Sequence, residues 1–74
     1  MIFLPQNLIQ IAQNGGGLII DLNKQIILPQ HLIEIANAAS NSGAKIIIKN
    51  IRFMTPEMMV QIARAGKGTV IFEI

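Results

Sequence analysis

The stretch LPQHLIEIANAASNSGAKIIIKN (residues 28–50) holds one complete unit of this chain's organisation: a proline, an amphipathic run, a glycine and a β-branched run. Pro29 suits the first position of a helix, where the backbone N–H has no intrahelical partner to lose. Leu32, Ile35 and Ala36 then fall on one stripe at i, i+3 and i+4, with Glu34 and Asn37 opposite, so the run reads as an amphipathic helix. Gly43 reads as its stop. Ile46 to Ile48, short and β-branched, read as a strand.

The same order recurs on both sides. Pro5 and Pro56 lie 24 residues before and 27 residues after Pro29, a spacing that marks a repeat architecture. Leu8, Leu32 and Met59 coincide in the three copies, as do Ile9, Ile33 and Val60, then Ile11, Ile35 and Ile62, then Ala12, Ala36 and Ala63. Gln10, Glu34 and Gln61, with Gln13, Asn37 and Arg64, form the polar stripe. Each helix is too short to stand without packing. Thr55 caps the third start and Glu57 lies in its first turn, where the helix dipole favours negative charge, whereas Leu4 and Leu28 hold the equivalent positions without a polar side chain. The second copy is three residues longer between proline and strand. Residues 40–43 therefore either extend its helix or lengthen its loop.

Strands are expected at Leu18 to Asn23, Lys45 to Asn50 and Thr69 to Ile74. The pieces Lys24 to Leu28 and Ile51 to Thr55 connect strand to helix, and Met1 to Leu4 matches their ends, so the chain opens in mid-repeat. Strand–helix–strand connections within one sheet are almost always right-handed crossovers. The expected fold is α/β: a single domain over 1–74, built of three helix–strand repeats (about 1–23, 24–50 and 51–74), with a small parallel sheet, helices on one face and a solenoid-like form.

Alternation along the strands divides the residues by face. In register with the prolines, Ile19 and Asp21, Ile46 and Ile48, and Val70, Phe72 and Ile74 are expected under the helices. The other face carries Leu18, Ile20 and Leu22, then Lys45, Ile47 and Lys49, then Thr69, Ile71 and Glu73. It reads as an open surface crossed by a row of Ile20, Ile47 and Ile71, and contiguous exposed apolar area of that kind marks an interaction site. The competing expectation is that residues 1–4 fold over it. The last strand has no lysine or proline to guard its edge, so edge pairing and a homo-oligomer are also expected.

The composition fits a dense small core with sparse polar cover: 51% of residues are hydrophobic and 14% charged, against about 25% charged in an average domain. The absence of cysteine fits the cytoplasm and excludes thiolate metal sites and cysteine nucleophiles. No apolar run approaches the ~18 residues that span a bilayer, and no signal peptide opens the chain.

Candidate chemistry is thin. The glycines at 15–17, and at 66 and 68, resemble phosphate-loop fragments but run from helix into strand, so the helix end they meet has the wrong polarity for an anion. His31 has no nucleophile at a recognisable spacing. Asp21, Glu34, Glu57 and Glu73 are scattered, and Asp21 is expected at a strand end, reaching water or a loop amide. No catalytic, cofactor or metal site is expected. Lys24, Lys45, Lys49 and Arg52 cluster around the first two strands of a chain with net charge +2, which leaves weak anion or nucleic-acid binding as an alternative.

The pieces LIIDLN (18–23), LPQHLIEIA (28–36) and KNIRFMTPEMMVQIA (49–63) resemble leucine-rich repeats of the ribonuclease-inhibitor type, in which a strand ending in asparagine precedes a Thr-Pro-Glu-like helix start. The resemblance spans Leu18 to Ile74. It implies a curved solenoid that binds protein partners. The function expected from the sequence is thus a noncatalytic protein-interaction or self-assembly module, with Ile20, Ile47, Ile71, Lys45, Lys49 and Glu73 as its contact residues.

Overall fold

The computed structural model describes residues 4–74. Six elements alternate along it: α1 (Pro5–Gln13), β1 (Leu18–Asp21), α2 (Pro29–Ser42), β2 (Ile46–Lys49), α3 (Pro56–Gly66) and β3 (Val70–Glu73). The strands form one open parallel sheet in the order β1-β2-β3. The helices pack in the same order, with α2 between α1 and α3. The expectation that residues 1–4 cover the second sheet face falls largely on residues outside the described ones.

The helix ends follow from local chemistry. Thr55 Oγ1 accepts from the Met58 N–H at 3.2 Å, the cap expected for α3. At α1 the bond runs the other way, the Leu4 N–H donating to Asn7 Oδ1 at 3.1 Å. Residues 40–42 extend α2 rather than its loop, and Gly43 closes the helix at φ 82°, a left-handed turn that costs glycine little. The extension has a use: Ser42, in the added turn, donates its hydroxyl to the carbonyl of Ala12 at the end of α1. Gly66 is buried in the last turn of α3, where a Cβ would come within 2.5 Å of Val70 Cγ2. Its missing side chain lets β3 fold back closely against α3.

The core is a single cluster. Leu8 and Ala12 of α1, Leu32, Ile35, Ala36, Ala38 and Ala39 of α2, and Ile62 of α3 close over Ile20, Ile46 and Ile48. Every residue assigned to the polar stripe is exposed. The apolar stripe is less uniform, since Ile11 of α1 and Ala63 of α3 are also exposed.

The strands are four residues long rather than the six expected at 18–23, 45–50 and 69–74, and the face assignment of the first one fails because of a single residue. The paired register sets Leu18 beside Ile46 and Val70, and Ile20 beside Ile48 and Phe72. The proline alignment had set Leu18 with Lys45 and Thr69. The stretch from proline to registered strand residue is one residue shorter in the first copy, relative to the other two, than that alignment assumes. Because side chains alternate, a slip of one turns the whole strand over. Ile20 is 5% exposed and belongs to the core, while Ile19 is 70% exposed on the opposite face. Leu18 and Leu22 are half-buried on the helix side, and Asp21 moves to the open side with Ile19. The assignments for β2 and β3 stand, apart from Ile74, which lies past the end of β3 and is fully exposed.

Candidate functional site

The face of the sheet away from the helices presents rows of registered side chains. Its middle row is Ile19, Ile47 and Ile71, with Ile71 52% exposed and Ile47 half-buried between its neighbours. The row at the C-terminal ends of the strands is Asp21, Lys49 and Glu73, alternating in charge. At the N-terminal ends Lys45 is exposed and Thr69 half-buried. Here a Cβ on Gly17 would lie 3.2 Å from the Lys45 carbonyl. The result is a flat apolar band bordered by charge.

Asp21 anchors one corner of this face. Its carboxylate accepts from the side-chain amide of Asn50 at 2.5 Å and from the Asn23 N–H at 2.9 Å. Those bonds, the Asn50 one first, hold its pKa below the ordinary 3.8; slight desolvation opposes them, and the charges of Lys24 and Lys49 add to them. Asn50 follows β2 with φ 61°, a left-handed conformation that asparagine tolerates better than most residues. Next to it Arg52 Nη2 donates to Asn23 Oδ1 at 3.2 Å. Two polar ties thus join the turn after β1 to the turn after β2.

Of the residues expected to make contacts, Ile47, Ile71, Lys45, Lys49 and Glu73 lie on the open face and Ile20 does not. Ile19 takes its place in the row. Of the basic set, Lys45, just before β2, and Lys49, at its end, flank Ile47, with Lys49 between the acids Asp21 and Glu73 in register. Lys24 and Arg52 sit in the turns.

A second apolar surface escaped the sequence reading. Ile26 and Phe53, 27 residues apart at equivalent places in two strand-to-helix turns, are both almost wholly exposed. They rim a groove of about 410 Å³ floored by Leu22, Leu32, Met54 and Met58. The apolar character of these connecting pieces was the available signal, and their repeat spacing would have placed both residues at turn tips.

Neither the protein-family models nor the curated proteins nor the solved structures contain a match to this chain. Among the described residues no group of three or more His, Asp or Glu stands together as a metal site, and no helix is long and apolar enough to cross a membrane.

Proposed function

We propose that this chain is a noncatalytic protein-interaction or self-assembly module that meets its partner across the open sheet face and the sheet edges. The observation that carries this reading is the row Ile19–Ile47–Ile71, three β-branched side chains in register on a face that no described helix covers. Water-exposed apolar area arranged as one band is stabilised by burial against a protein surface. The strand-and-helix repeat fits the protein-binding role that the leucine-rich-repeat resemblance implies. A chain without cysteine suits a reducing compartment, and we place it in the cytoplasm. The alternative, an anion or nucleic-acid surface of Lys24, Lys45, Lys49 and Arg52, has to bind beside Asp21 and Glu73.

The test uses Ile47→Glu and Ile71→Glu. Light scattering and partner binding are followed alongside circular dichroism. Loss of partner binding or of self-association with helicity retained supports the open face, and self-association that persists assigns copy-to-copy contact to the sheet edges. Unfolding by both variants would show that the row belongs to the core and sink the reading. Retention on a nucleic-acid column that falls steeply with salt would favour the basic cluster instead, because counterion release governs such binding.

A further inference from the structure

We propose that copies of this chain associate head to tail, the α3–β3 flank of one copy packing against the α1–β1 flank of the next. The proposal rests on the self-assembly reading above and narrows it to the flanks, which leaves the open face free for another protein.

The chain already makes this interface twice within itself. Ser42 of α2 donates to Ala12 of α1, so the α2 stripe shared by Ile35 and Ser42, seven residues apart, faces α1. Ile35 is 0% exposed there, and its equivalent Ile62 is 0% exposed against α2. Ile11 is the third member of that set, it lies on the side of α1 away from α2, where no described helix packs, and it is 37% exposed. The opposite flank shows the complement. Ala12 and Ala36 are buried beneath a following helix, whereas Ala63 is exposed and the neighbouring Val60 is 53% exposed. Each flank therefore displays side chains whose counterparts are buried by the adjoining repeat.

Backbone pairing matches. Among the described residues the outer edges of β1 and β3 have no strand beside them, and such edges template further pairing. Continuing the internal register sets Val70 beside Leu18 of the next copy and Ile71 beside its Ile19. The Ile19–Ile47–Ile71 row then runs unbroken from copy to copy. The contact is heterologous, so it extends rather than closing on itself as a two-fold dimer does. Cα extents of 29 × 29 × 18 Å bound the flank. An interface of about 1,000 Å² or less places the association among weak ones, and the measurement belongs at roughly 10–500 µM.

Head-to-tail contact makes a prediction that a symmetric dimer does not. Ile11→Glu blocks one flank and Val60→Glu the other, so each variant alone should sediment as a monomer. An equimolar mixture should give a 1:1 dimer through the two intact flanks. Ile47→Glu, on the central strand and away from both edges, should leave the self-association in place. Ala63→Glu replaces Val60→Glu if circular dichroism shows that the latter loses helix. A mixture that stays monomeric, or single variants that still assemble, would overturn the proposal. So would a wild-type monomer across the whole concentration range, although the open face could then still bind a different protein. Association abolished by Ile47→Glu but untouched by Ile11→Glu and Val60→Glu would place self-contact on the face, sinking this inference and sparing the broader reading.

Discussion

At the scale of the residue, Asp21 shows how a surface carboxylate is tied into this fold. Its pKa is depressed chiefly by the bonds from the Asn50 amide and the Asn23 N–H. A carboxylate with a lowered folded-state pKa contributes stability that is present above its unfolded value and is lost as pH falls through the folded value. The wild type should therefore lose stability below about pH 4 more steeply than Asp21→Asn, which keeps an acceptor for the Asn23 N–H but has no charge to titrate. Urea midpoints at pH 7, 4 and 2.5 measure this, and parallel curves for the two proteins would show that the tie contributes nothing. The place of Asp21 at a strand end, reaching a loop amide, was legible in the sequence. Its partner was not, because Asn50 is 29 residues away and only the pairing of β1 with β2 brings the two together.

At the scale of the element, the helices were legible and one strand's orientation was not. Helix starts and stops are written locally, in Thr55, the prolines and Gly43, and a 3.6-residue period tolerates an error of one at its ends. A strand does not tolerate it. LIID has apolar residues at its first three positions, so alternation could not choose between Ile19 and Ile20 as the buried one, and the pairing with β2 supplied the answer. The two isoleucines now make a sharp contrast. Ile20→Ala should cost about 2–5 kcal/mol, the range for deleting a buried aliphatic side chain. Ile19→Ala should stay within about 0.5 kcal/mol, as exposed substitutions do. A domain of this size has only a few kcal/mol in hand. The first variant should thus be largely unfolded at 25 °C and the second close to wild type by urea titration. Equal effects would mean that β1 is buried on both faces.

At the scale of the whole molecule, the parallel repeat explains why the two flanks are complementary and also where they conflict. Within the chain the charged row alternates, Asp21 beside Lys49 beside Glu73. Continued into a next copy, the register sets Glu73 against that copy's Asp21, and like charges directly opposite one another destabilise a strand pair. Head-to-tail association should therefore strengthen with salt as this repulsion is screened, the opposite of the salt response of nucleic-acid binding. Glu73→Gln removes the clash. It should tighten association by up to about fivefold, the equivalent of the ~0.2–1 kcal/mol carried by a cross-strand pair, and flatten the salt dependence. The substitution raises the net charge from +2, so general repulsion between copies would push the other way. Sedimentation at roughly 10–500 µM in low and high salt reads both effects. Weaker association of Glu73→Gln, or an unchanged salt slope, would mean that β3 and β1 do not meet in the register that the chain uses internally.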